Sequence, residues 1–225
     1  MTSVDEFYKM SGRQQTAYLE KNHPANKISA SARKTVRGVG VNDAGYCQQP
    51  KLNGLPIVCP AYSAWIHMLG RAYGSNYHMK RPTYHGVTVC SEWHSFMAFR
   101  GWWLEHQVDG WDLDKDLLSD NKIYSPETCI FVPAWINSFT LGRSAARGDW
   151  PIGVCFRKGS GMFLATSKNP ITKKQEHIGL FDTPIKAHQA WRERKIELAI
   201  MIKPETDKID KRIHYGILRI IKGAI

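Results

Sequence analysis

The chain has 225 residues, of which 43% are hydrophobic and 11% aromatic. That is enough apolar material to bury one large core or two small ones, and it argues against disorder of the chain as a whole. Lys and Arg number 31 against 20 Asp and Glu, a net charge of +11, which favours a polyanionic partner. Nucleic acid comes first, because neutralised phosphates release condensed counterions; a merely soluble basic surface is the plain alternative.

The N-terminus, MTSVDEFYKMSGRQQ, has no apolar core of signal-peptide length, and no apolar run in the chain is long enough to span a bilayer. A cytoplasmic protein without a membrane partner is expected. Phe7, Met10, Tyr18 and Leu19 among charged neighbours suggest a helix broken or capped near Ser11-Gly12. Residues 22–38, NHPANKISASARKTVRG, are polar and basic. They read as a linker or arm, in which Lys27, Arg33, Lys34 and Arg37 could follow a DNA backbone, or equally as a solvated tail.

From Gly38 the composition shifts toward Gly, Tyr and Cys. Tyr62, Trp65, Met68/Leu69 and Tyr73 fall at helical spacing behind Pro60. Val87 to Cys90 reads as a short strand, with Ser91 placed to cap a helix running to Glu105 whose apolar face is Trp93, Phe96/Met97, Phe99 and Trp103. Five cysteines, Cys47, Cys59, Cys90, Cys129 and Cys155, show no CxxC spacing, so a secreted disulfide framework is not expected. Cys59, Cys90 and Cys129 could converge on a structural zinc ion, or be small buried thiols, the reading their spacing favours.

The stretch from Trp111 to Asn137, WDLDKDLLSDNKIYSPETCIFVPAWIN, carries most of the functional argument. Leu113 to Leu118 alternates apolar and charged residues as a half-buried strand does. Ser119-Asp120-Asn121 is a polar turn, Ile123-Tyr124 and Cys129 to Val132 are further apolar segments, and Pro133 is placed to open a helix with Asn137 about one turn inside it. Such a strand–turn–strand–helix unit can bring Asp114 and Asn137 to one point. Two hard oxygen ligands with positions left open for water and phosphate suit Mg²⁺.

This segment resembles the ββα-metal finger of the HNH nucleases, in the variant whose first strand reads Leu-Asp-His-Asp. Here the strand reads Leu113-Asp114-Lys115-Asp116. The resemblance makes Asp114 and Asn137 the metal ligands and puts Lys115 where the family usually has its general-base histidine, a departure. LDKDLL, NKIYSPETC and FVPAWIN resemble more closely the phage-encoded HNH proteins that join this finger to a C-terminal domain like the plant APETALA/ERF DNA-binding domain. A lysine at this position is usual in that group. An ordinary lysine is protonated at neutral pH, so Lys115 suits phosphate or water positioning better than proton abstraction. His67, His85, His94 and His106 precede the motif, and His94 or His106 could supply a base.

After the finger, Arg143 and Arg147 lie one helical turn apart, as a phosphate clamp or as a solvated helix end. From Trp150, strands are expected at Ile152 to Arg157, Met162 to Lys168 and Glu176 to Gly179, separated by turn-rich KGSG and NPITK. Thr183-Pro184 then caps a helix with Ala187, Ala190/Trp191 and Ile196 or Leu198 inward. GVCFRKGSGMFLATS and HIGLFDTPIKAHQAW resemble the ERF-type domain. That resemblance puts the sheet in the major groove, with Arg157, Lys158, Lys168, Lys173 and Lys174 on phosphates or base edges. The tail has Ile209, Ile213, Ile217 and Ile220/Ile221 at helical spacing, with Gly216 weighing against one long helix; it could close the C-terminal core, join a dimer or lie along DNA.

The expected fold is α+β. An N-terminal helix and basic linker (1–37) precede an HNH-like ββα-metal nuclease domain with a helical scaffold (38–148). A three-stranded antiparallel sheet plus helix of ERF type (149–202) and a basic amphipathic tail (203–225) complete it. The function expected is that of a site-directed, homing-type endonuclease hydrolysing double-stranded DNA with one Mg²⁺ or Mn²⁺ ion and no nucleotide cofactor. The resemblance implies action in a bacterial host during phage infection. A DNA-binding regulator whose finger has lost its chemistry is the other reading.

Overall fold

A computed structural model describes residues 2–140 and 150–224. The chain divides into two compact units, residues 1–115 with 121–131, and residues 116–120 with 132–225. Among the described residues no helix is long and apolar enough to cross a membrane.

The first unit is built on an aromatic core. Helix α1 (Val4–Lys9) and helix α2 (Gly12–Asn22) both begin on capping boxes, Ser3 with Glu6 and Ser11 with Gln14, which satisfy the first free backbone N–H groups reciprocally. Phe7 and Leu19 are fully buried, and the Gly12 N–H donates to Asp109 at 2.8 Å while Arg13 donates to the Gln107 carbonyl at 2.8 Å. The first residues are thereby packed into this unit. Helix α3 (Lys27–Ser31) follows. Arg33, which the sequence placed in an arm, donates instead to the carbonyls of Asn42, Ala44 and Tyr46.

A short hairpin, β1 (Lys51–Leu52) and β2 (Leu55–Pro56), leads to α4 (Pro60–Tyr73). Helix α4 buries Trp65, Met68 and Leu69, the spacing read from the sequence. The Trp65 indole N–H donates to the Trp93 carbonyl at 2.7 Å, so a large buried side chain leaves no polar atom without a partner. After α5 (Ser75–Lys80) and β3 (Thr88–Val89) comes α6 (Phe96–His106). Its cap is Ser95, which accepts from the Ala98 N–H at 3.0 Å. Ser91, expected as the cap, opens a separate 3₁₀ turn, Ser91–His94.

Strand β4 (Trp111–Asp114) pairs with β6 (Ile130–Pro133), and β5 (Ile123–Tyr124), between them in sequence, pairs in parallel with β3. The expected strand over residues 113–118 thus ends at Asp114, and the chain enters the second unit at Asp116. Helix α7 (Ala134–Thr140) follows β6 directly, beginning one residue after Pro133.

The second unit holds the antiparallel sheet β7 (Val154–Arg157), β8 (Met162–Lys168) and β9 (Gln175–Phe181), in that order. Thr183 accepts from the Lys186 N–H at 3.3 Å and caps α8 (Pro184–Met201) with Pro184 at its first position, as the Thr-Pro pair predicts. Val154, Ala165, Ala187 and Trp191 form the core between sheet and helix. Gly153 has φ +81°, and a Cβ there would lie 2.0 Å from the Trp191 ring, so only glycine admits the indole.

Helix α9 (Lys203–Asp207) and helix α10 (Lys211–Gly223) close the unit, with Ile213, Ile217 and Ile221 buried. Gly216, which reads as a helix breaker, lets α10 approach the backbone at Leu117: a Cβ there would stand 1.7 Å from the Leu117 carbonyl oxygen.

Candidate functional site

In the first unit Asp114 ends β4 half-buried, and Lys115, next in sequence, is only 5% exposed. The Lys115 ammonium lies 5.6 Å from the Tyr84 ring centre and 5.8 Å from that of Tyr124, and aromatic faces attract a cation. Arg71, from the last turn of α4, donates to the Tyr124 hydroxyl at 2.9 Å, with its guanidinium carbon 5.6 Å from the same ring centre. Two cations therefore share one buried phenol beside the strand that ends at Asp114. Burial raises the Tyr124 phenol above its ordinary range, so it stays protonated as a neutral anchor.

A cleft of about 790 Å³ opens in the same unit, lined among others by His67, Arg71, Trp103, Trp111, Asp112 and Phe131. Sequence reading assigned Arg71 no role. Its signal was slight, a basic residue in the final turn of an otherwise apolar helix.

Among the described residues no group of three or more His, Cys, Asp or Glu side chains could hold a metal ion. One carboxylate and one amide do not make such a group. The five cysteines are free thiols. Burial pushes the Cys129 thiol up to about 12, so the thiol on its own stays protonated at neutral pH. The Cys59 thiol is in contact with the hydroxyls of Thr16, at 3.6 Å, and Tyr46, at 3.5 Å.

Of the candidate base histidines, His106 engages the Trp102 carbonyl through Nδ1 at 2.8 Å and stacks on that indole. His94 lies 3.4 Å from the Tyr73 hydroxyl. His85 packs on His78, their ring centres 4.9 Å apart.

In the second unit Asn137 is half-buried on α7. The last turn of that helix is braced by Lys195 of α8, whose ammonium nitrogen lies 2.5 Å from the Phe139 carbonyl oxygen and 3.4 Å from the Phe139 ring centre. The segment 116–120 is held by α10: Arg219 donates to the Asp116 carbonyl and pairs with the Asp120 carboxylate at 2.6 Å.

The sheet has two unlike faces, because paired residues in an antiparallel ladder point the same way and alternate along each strand. Val154, Ala165 and Gly179 pair toward α8, as do Phe156, Phe163 and Phe181. A bulge between Ala165 and Thr166 keeps Glu176 on that side, where it meets Arg194 of α8 at 2.9 Å. The opposite, outer face carries Cys155, Arg157, Met162, Leu164, Thr166, Lys168, Gln175, His177 and Leu180. It holds no carboxylate.

Arg157 and Lys168 are exposed on this face, and the two turns at its ends present Lys158, Lys173 and Lys174. Asn169 builds the second turn, its side-chain Oδ1 accepting from the Ile171 N–H at 2.8 Å and the Thr172 N–H at 3.0 Å. Lys173 sits there at φ 60°. Arg143 and Arg147 lie outside the described residues.

No protein-family model matches the chain, and no curated protein or solved structure matches it either.

Proposed function

We propose that this chain is a site-directed endonuclease of homing type that hydrolyses phosphodiester bonds of double-stranded DNA with one divalent ion, Mg²⁺ or Mn²⁺. The observation that carries the reading is the outer sheet face of the second unit. Five cationic side chains, Arg157, Lys158, Lys168, Lys173 and Lys174, surround a face with no carboxylate, while Glu176, on the other side of β9, and Asp182, just after it, are engaged with Arg194 and Lys186. A surface so sorted by sign suits a phosphate backbone.

For the chemistry, the order strand β4, strand β6, helix α7 supports the finger reading, with Asp114 closing the first strand and Asn137 on the helix. Their side chains supply hard oxygen donors, a set that fits Mg²⁺ or Mn²⁺ and not a soft metal. Bound there, the ion would polarise the scissile phosphate and stabilise the departing 3′ oxygen. Asp114 and Asn137 would hold it. Lys115, fixed beside Tyr84 and Tyr124, and Arg71, fixed on Tyr124, would draw and orient the phosphate near Asp114. The proton of the attacking water would go to a neighbouring base, which the sequence does not single out.

The test is supercoiled plasmid DNA incubated with the full chain in Mg²⁺ and, in parallel, in excess chelator. Cleavage in Mg²⁺ alone is expected. Binding without cleavage in Mg²⁺ or Mn²⁺ would replace the enzyme with a DNA-binding regulator, and absence of both would end the nucleic-acid reading.

A further inference from the structure

The outer sheet face is basic at its two ends, and one of the two rows between them is apolar. Cys155, Leu164 and Leu180 are in register across β7, β8 and β9, so they form one row at right angles to the strands. At the usual strand spacing this row spans about 10 Å. The row beside it holds Arg157 and Met162, and the rows on its other side hold Thr166 with His177 and Lys168 with Gln175. Leu164 is 5% exposed and Leu180 is 49% exposed. A groove of about 590 Å³ runs here, with Leu164, Leu180, Arg157 and His177 among its walls.

An exposed leucine on the edge strand β9 of a cationic face, in register with the buried Leu164 of the central strand, is poorly matched to phosphate, which wants the lysines and arginine. It is well matched to one feature of duplex DNA. Of the four base edges presented in the major groove, only that of thymine carries an apolar group, its C5-methyl. Charge complementarity places the duplex, and the apolar row then selects within it.

We propose that Leu180, standing beside Leu164, reads a thymine methyl, so that the site this protein selects holds at least one required thymine. This rests on the sheet face being the DNA-reading surface. Arg157, one row away, contributes to phosphate or to a neighbouring base and not to the methyl preference.

The experiment uses the full chain in chelator, so that DNA is bound and not cut. A randomised 30-base-pair duplex pool is enriched for binding, and the selected duplex is remade with each thymine replaced in turn by deoxyuridine, which lacks only the methyl. At one or two positions the replacement should weaken binding about three- to fivefold, the worth of burying one methyl group. Leu180→Ala should bind the thymine and uracil duplexes equally at those positions. Arg157→Ala should bind both more weakly and keep the difference between them.

Insensitivity of every position to the swap, or survival of the discrimination in Leu180→Ala, overturns the proposal while leaving the DNA reading intact. Failure to bind any duplex overturns both. A dimer that Leu180→Ala converts to monomer, with discrimination unchanged, would assign the row to a second copy of the chain and overturn the thymine assignment.

Discussion

Among the described residues each compact unit buries one lysine, and the two are surrounded differently. Lys115, 5% exposed, has its ammonium facing two tyrosine rings, and Asp114 precedes it in sequence. Lys195, 6% exposed, is set between Phe139 and Trp191, with the Phe139 carbonyl oxygen beside it. The Phe139 ring favours the ammonium, burial favours the neutral amine, and burial prevails, pushing Lys195 down to about 7.

The comparison separates a buried cation next in sequence to the proposed ligand Asp114 from one placed to hold a helix. In the first unit the lysine follows the proposed ligand Asp114. In the second it braces the end of the helix that carries Asn137. Similar burial therefore implies different consequences on mutation.

The largest effect should come at Asp114. Asp114→Ala should lower Mg²⁺-dependent cleavage by about 10³-fold, since a lost metal ligand removes several kcal/mol of transition-state stabilisation, and DNA affinity measured in chelator should change by no more than a few-fold. Asn137→Ala should act in the same direction and less completely, a neutral amide holding the ion less strongly than a carboxylate. Full activity in either variant would remove that residue from the metal assignment.

Next comes Lys115→Met, which keeps most of the buried stem and removes the charge. Cleavage should fall by about 10²-fold, within the range that one preorganised electrostatic group contributes. The melting temperature should stay within a few degrees. A large loss of melting temperature with activity per folded molecule preserved would make Lys115 a second brace and erase the contrast with Lys195.

The smallest effect on activity is expected at Lys195. Its folded value near 7 lies below the ordinary lysine value of 10.5, so between those limits the unfolded chain binds a proton that the folded chain does not. Stability from this group therefore rises as pH climbs from about 7 toward 10.5, and it is lowest and flat below 7. Lys195→Met should remove this component of the pH dependence, be neutral or stabilising by ~1–2 kcal/mol at pH 6 to 7, and leave cleavage within a few-fold. Thermal melts of both proteins from pH 6 to 9 check it. A parallel pH dependence in the two would show that Lys195 does not titrate in this window.

Local signals carried much of the second unit. Thr183-Pro184 announced a helix start because a cap and a residue without an N–H are needed there and nowhere else in a helix. Alternation and turn residues marked all three strands, and the inward positions Ala187, Trp191 and Leu198 are buried as their spacing requires. The same kind of reading found the Trp65, Met68 and Leu69 face of α4.

Where the sequence misled, long-range packing had decided. Ser95 caps α6 in place of Ser91, and the Ser95 side chain is also held by Asp43 at 2.6 Å, a partner 52 residues away. Arg33 reads as part of a basic arm, yet three loop carbonyls claim it.

Composition determined by itself that this chain folds and carries an excess of positive charge, and local pattern marked α4, α6, α8 and the three-stranded sheet, because those depend on neighbours a few residues apart. Only the tertiary structure decided that Gly216 lies inside a helix, where it admits the backbone at Leu117, and that Lys115 and Lys195 are buried. It alone set the apolar row of Cys155, Leu164 and Leu180 between the rows that carry Arg157 and Lys168. Each of those facts depends on residues distant in sequence, whose approach is set by packing and register and leaves no periodic trace in the chain.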